Sequence, residues 1–134
     1  MKWRVILFLA AGVLWACTST DMPDQIEGER VYEANCEACH GSSGQGDGRL
    51  AATMNPAPAD LSTLSADNGG AFPVSAVLSK IDGYASDETA QAAMPTFGDL
   101  LSGDTVPVET DDGVLTPTPR QLAALLSYLE TLQQ

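Results

Sequence analysis

The chain has 134 residues, with 18 acidic side chains against six basic ones, one histidine and three cysteines. That length suits one small domain. A net charge of −12 argues against nucleic acid and against electrostatic docking on anionic lipid, since both are themselves negatively charged.

Lys2 and Arg4 precede an apolar run of twelve residues, Val5–Ala16. A membrane span needs about 20 such residues, so residues 1–16 read as a removable secretory signal. The run ends at Leu14-Trp15-Ala16-Cys17, which resembles the lipobox of bacterial lipoproteins, where the cysteine is lipidated and becomes the mature N-terminus. Trp15 departs from the small residue usual in that motif. Ordinary cleavage nearby would leave Cys17 as a spare thiol, and an odd thiol in an exported chain favours lipidation. Residues 17–25 then form a polar tether, and residues 26–134 form the folded domain. All 18 acidic residues follow residue 16, facing only Arg30, Arg49, Lys80 and Arg120, which leaves −14. Such a surface suits a partner with a basic docking patch; charge serving solubility alone is the alternative.

The first helix is predicted over Glu27–Ala38, with Ile26, Val31, Tyr32 and the cysteines facing inward. It leads into Cys36-Glu37-Ala38-Cys39-His40, the attachment signature of a c-type haem. Two thiols three residues apart on one helical face reach the two vinyl groups along one haem edge, and His40 supplies the proximal nitrogen to the iron. A thioredoxin-like dithiol would need a βαβ setting, and no strand pattern precedes the motif. A structural zinc site would need four ligands, yet the chain has no second histidine and only Cys17 as a further thiol.

Gly41–Gly48 is a glycine-rich loop. It leaves a helix where a phosphate-cradling loop would open one, and Asp47 alone offers too few oxygens for calcium. Arg49–Met54 reads as a short helix stopped by Asn55-Pro56-Ala57-Pro58. A proximal histidine donates its second ring N–H to a carbonyl, and the candidate acceptors are Pro58 and Pro56. Arg49 is a candidate contact for a haem propionate, with an ordinary surface ion pair as the alternative; Tyr84 is a second propionate candidate. Asp67-Asn68-Gly69-Gly70 marks a turn. Pro73–Ile81 reads as a helix with Val74, Val77, Leu78 and Ile81 on one side, ended by Asp82-Gly83.

With a single histidine, the sixth iron ligand must be sought among Met22, Met54, Met94 and Lys80. Met22 lies in the tether and Met54 is close behind His40, so Met94, in Ala93-Met94-Pro95-Thr96-Phe97-Gly98, is the candidate distal ligand. A neutral thioether there favours ferrous iron and raises the potential. A gap-filling core methionine is the competing role. Beyond it, Val106, Val108 and Val114 around Asp111-Asp112-Gly113 suggest a small hairpin. The last helix is predicted with Thr118 as cap, Pro119 in the first turn and Gln121 completing a capping box. Leu122, Leu125, Leu126, Leu129 and Leu132 form its apolar stripe.

From Gly28 to Leu132 the chain resembles a small single-haem cytochrome c of the bacterial His/Met type. The resemblance rests on Gly28, Tyr32 and Cys36 in the first helix and on Leu125, Tyr128 and Leu129 in the last. Pro58 and Leu61 match the segment supporting the proximal histidine, and Met94-Pro95 matches the ligand loop. The resemblance implies an all-α cytochrome c fold, its N- and C-terminal helices crossing at the glycine and its short helices and loops wrapped around one covalent haem c. It further implies a periplasmic electron carrier rather than an enzyme, serving redox protein partners and taking no small-molecule substrate. Residues 99–117 depart from the pattern, being longer and more acidic than a minimal member would carry, either as a surface insertion or as a docking element. A haem c enzyme or gas sensor with a displaceable distal ligand is the alternative, but it would want a polar His or Arg beside the iron, and nothing near Met94 is basic. A subunit confined to a larger redox complex is a third possibility.

Overall fold

The computed structural model describes residues 22–83 and 94–134. Five α-helices and one two-stranded hairpin make up the regular structure among them. The elements are α1 (Gln25–Asn35), α2 (Glu37–His40), a 3₁₀ turn (Ala51–Thr53), α3 (Leu64–Asp67), α4 (Val74–Asp82), β1 (Thr105–Glu109), β2 (Leu115–Pro119) and α5 (Arg120–Thr131). Cys17 and Tyr84 lie outside the described residues.

The helix expected over Glu27–Ala38 is two helices. α1 starts at Gln25, where the Asp24 side chain accepts from the Glu27 backbone N–H at 2.8 Å. It stops at Asn35, whose Nδ2 turns back to the Val31 carbonyl at 2.8 Å. The backbone bends at Cys36 and α2 carries the rest of the motif. Val31 and Tyr32 are buried as expected, whereas Ile26 is 58% exposed, because it lies on the outer side of the first turn.

The core forms where α1 packs on α5. α5 buries Leu122, Leu125, Leu126 and Leu129, together with Ala123 and Ala124, and Leu132 packs at its edge. A methyl group on Gly28 would fall on the Ala124 carbonyl oxygen and the Tyr128 Cβ, so the two backbones meet where Gly28 offers no side chain. Tyr32 and Tyr128 sit beside that contact with ring centroids 5.2 Å apart, a separation at which tilted aromatic pairs attract. Across the helix pair, Arg120 Nη2 donates to Glu27 Oε2 at 3.0 Å.

α4 turns Val77 and Ile81 into the core, as its periodicity predicts, and ends at Gly83 in the left-handed conformation. The hairpin expected around Asp111-Asp112-Gly113 is present as an antiparallel pair with Val106 opposite Thr118 and Val108 opposite Thr116. An all-α description therefore needs this β element added. The capping box at Thr118 does not form: Thr118 is a buried strand residue, its Oγ1 donating to the Thr116 carbonyl at 3.1 Å. α5 instead begins after Pro119 without a side-chain cap, and the Arg120 N–H is taken by the Asp104 carbonyl at 2.8 Å. The helix expected over Arg49–Met54 contracts to the 3₁₀ turn, and α3, unforeseen from the sequence, precedes the Asn68-Gly69-Gly70 turn.

Candidate functional site

The bend at Cys36 separates the two thiols from α1 and brings α2 back over the following loop. Gly46 N–H donates to the His40 carbonyl at 2.8 Å, Gly48 N–H to Cys39 at 3.1 Å and Leu50 N–H to Ala38 at 2.9 Å. This wrapping needs bare backbone, since a methyl group on Gly46 would strike the Pro58 carbonyl oxygen. The loop is tied to the next segment by Leu61 N–H on the Gly44 carbonyl at 2.6 Å and to α1 by the buried Tyr32 hydroxyl on the Gly41 carbonyl, also 2.6 Å. Burial, followed by the nearby Cys36, holds the Tyr32 phenol far above its ordinary pKa, so it acts as a fixed donor.

His40 is buried, at 8% exposure. Its Nδ1 stands 2.9 Å from the Ala59 carbonyl oxygen. A carbonyl only accepts, so Nδ1 is the donor, and in the neutral ring this leaves the Nε2 lone pair for a metal. The sequence pointed to Pro58 or Pro56 as the acceptor. The carbonyl that meets the ring is one residue beyond Pro58, because the Pro58 carbonyl faces Gly46. Pro58 therefore supports His40 only as the residue that leads into Ala59. That strand of chain is held in turn by Asp60 Oδ1, which accepts from both Ser62 N and Ser62 Oγ. Gln133 completes the support, donating from Nε2 to the Leu61 carbonyl at 2.8 Å and accepting the Ser65 N–H at 2.9 Å. Neither Ala59 nor Gln133 carries a sequence signal, since each acts through a contact remote in the chain.

Cys36 and Cys39 are free thiols, both half-buried. Burial, then the neighbouring Cys39, pushes the Cys36 thiol up to about 11. A cysteine tuned for dithiol exchange is shifted the other way, toward a lowered value. Among the described residues no three His, Cys, Asp or Glu side chains gather into an ion-binding cluster. The donor set is instead two thiols and an imidazole whose Nδ1 is tied to a carbonyl. That set fits a porphyrin fastened through its vinyl groups with iron on Nε2.

Met94 is half-buried and packs on the same core cluster that Cys36, Leu61, Leu64 and Phe97 border. Its segment is pinned to α4 by Phe97 N–H on the Ile81 carbonyl at 2.8 Å. Met54 is half-buried after the 3₁₀ turn, while Met22 is 55% exposed and Lys80 is exposed. Arg49 is exposed and forms no ion pair with a described residue. No helix among the described residues is long and apolar enough to cross a membrane.

A family model, that of cytochrome c, matches residues 25–133, a span running from the first residue of α1 to the Gln133 side chain that supports the histidine segment. No curated protein and no solved structure matches the chain. With more than three quarters of its length covered by that family and a Cys36, Cys39 and His40 donor set suited to a covalent porphyrin, the chain belongs to the cytochrome c family and binds haem c.

Proposed function

We propose that this cytochrome is an exported, lipid-anchored carrier of single electrons, with His40 and Met94 as its two axial ligands. Bound haem c supplies a one-electron ferric–ferrous couple. Cys36 and Cys39 hold the group through thioethers. His40 presents Nε2, with the Ala59 carbonyl fixing the ring and raising its basicity. Met94 contributes a neutral thioether, and the apolar residues around it keep water from the distal side. The observation that carries the reading is the half-buried Met94 on the shared core cluster in a chain with a single histidine: the best soft donor left for the second face is a thioether.

Residues 1–16 serve as the secretory signal and Cys17 as the lipidated residue, with the short segment before α1 as a tether to a bacterial membrane facing the periplasm. The partners are redox proteins whose docking face is basic, matching the −14 charge that remains after residue 16. The carrier transforms no small molecule of its own.

Haem-loaded protein should titrate as one reversible one-electron couple and leave added hydrogen peroxide unconsumed. Catalytic peroxide consumption would displace the carrier reading in favour of a haem enzyme. Expressed in a bacterium with its leader intact, the protein should partition with membranes, and Cys17→Ser should release it to the soluble fraction. Equal partitioning of the two would remove the lipid anchor from the account.

A further inference from the structure

The hairpin and α4 are joined in an unusual way. Pro73, at the start of α4, gives no side-chain cap. The cap comes from the hairpin turn instead: Asp111 Oδ1 accepts the Val74 N–H at 3.0 Å and Oδ2 accepts the Ser75 N–H at 2.9 Å. The turn is built to present that carboxylate. Asp112 Oδ1 accepts from the Thr110 hydroxyl at 2.7 Å and the Val114 N–H at 3.3 Å, and Thr110 N–H closes on the Val114 carbonyl at 3.0 Å. Neither strand runs alongside α4. A groove of about 260 Å³ lies between them, with Ser75 and Ser79 on the helix side and Thr116 and Thr118 on the strand side. Asp111 therefore bridges a gap, and both of its oxygens are committed to doing so.

The far end of α4 holds the segment that follows Met94. Phe97 N–H bonds the Ile81 carbonyl at 2.8 Å and Leu101 N–H bonds the Phe97 carbonyl at 2.9 Å. Methyl groups on Gly83 and Gly98 would strike Thr96 and Asp82 respectively, so the two pieces of chain are in direct contact. α4 is thus a nine-residue rod fixed at one end by Asp111 and bonded at the other to the segment Met94 begins.

We infer that Asp111 is a positioning residue for the distal side: by clamping the N-terminus of α4 it sets the helix against which the Met94 segment is held, and so keeps Met94 on the iron. The inference rests on Met94 being the sixth ligand. It gives the acidic insertion a task inside the molecule rather than on its surface.

The test is the rate at which carbon monoxide binds the ferrous, haem-loaded protein, which reads how often the distal ligand lets go. Asp111→Ala should bind carbon monoxide about fivefold faster than wild type, the factor equivalent to losing a helix N-cap. Asp111→Asn, which keeps one acceptor oxygen and the side-chain shape, should fall between them. Asp24→Ala removes an N-cap of the same kind from α1 and should lower the melting temperature without changing the carbon monoxide rate. If both Asp111 variants bind at the wild-type rate, or if Asp24→Ala accelerates binding as much, the positioning role is overturned. Met94→Ala separates this from the ligand assignment. It should bind fastest of all, and a wild-type rate there would overturn the ligand and with it the clamp.

Discussion

At the scale of single residues, two groups decide whether the site can form. His40 is useful because the Ala59 carbonyl, 2.9 Å from Nδ1, fixes which nitrogen is free. Cys36, Cys39 and His40 were fully legible in the sequence, since attachment chemistry dictates their spacing. The acceptor was not, because the two prolines announce a stiff segment without saying which carbonyl the loop turns toward the ring. Gly28 is the second such group, and it was legible only through the resemblance of Gly28, Tyr32 and Cys36 to the first helix of the family. Gly28→Ala forces a methyl group into the Ala124 backbone. The expected cost is about 2 kcal/mol, within the range for overpacking a filled contact, measured by denaturant unfolding of the haem-loaded protein. A loss below about 0.5 kcal/mol, the size of ordinary surface substitutions, would mean the two helices are free to move apart.

Among elements, α4 and α5 followed their apolar periodicity, and the hairpin followed its alternating valines around an Asp-Asp-Gly turn. What escaped the sequence were joints between elements. Thr118 looked like a cap because it precedes Pro119, but pairing with Val106 claims it for β2. The true cap of α4, Asp111, lies 37 residues along the chain, beyond the reach of local pattern. Its carboxyl is held below the ordinary 3.8, first by the backbone and then the side-chain hydrogen bond of Ser75, with Val74 adding a further backbone bond and Asp112 opposing. The folded state thus prefers the ionised form, so the stabilisation is complete above the unfolded value and is lost as pH falls through the depressed one. Amide exchange at Val74 and Ser75 should accelerate relative to the rest of α4 as pH is lowered below about 4, where unperturbed aspartate takes up its proton, after correction for intrinsic exchange. Asp111→Ala should exchange rapidly there at every pH.

For the whole molecule, the family and the haem were legible because they reside in a five-residue motif and a helix pair at the two ends of the domain. The support of the histidine segment by Gln133 was not, since it depends on α5 ending beside Leu61 and Ser65. Charge operates at this scale too. With 18 acids against four bases after residue 16, association with a positively charged redox partner should slow steeply with added salt. Between 0.01 and 0.1 M the Debye length drops from about 30 to 10 Å, and the bimolecular electron-transfer rate should fall by about tenfold or more, the low end of electrostatic steering. A rate indifferent to salt would leave the acidic surface with solubility as its task.

The central claim is a covalent haem whose sixth position is held by the protein. The most direct measurement is the visible spectrum of the ferrous protein at neutral pH before and after carbon monoxide is added. The account predicts a low-spin ferrous spectrum that carbon monoxide leaves unchanged within the time of mixing, since Met94 holds its position. An immediate and complete conversion to the carbon monoxide form would contradict it, leaving an open distal side and a molecule built to bind a ligand instead of passing electrons.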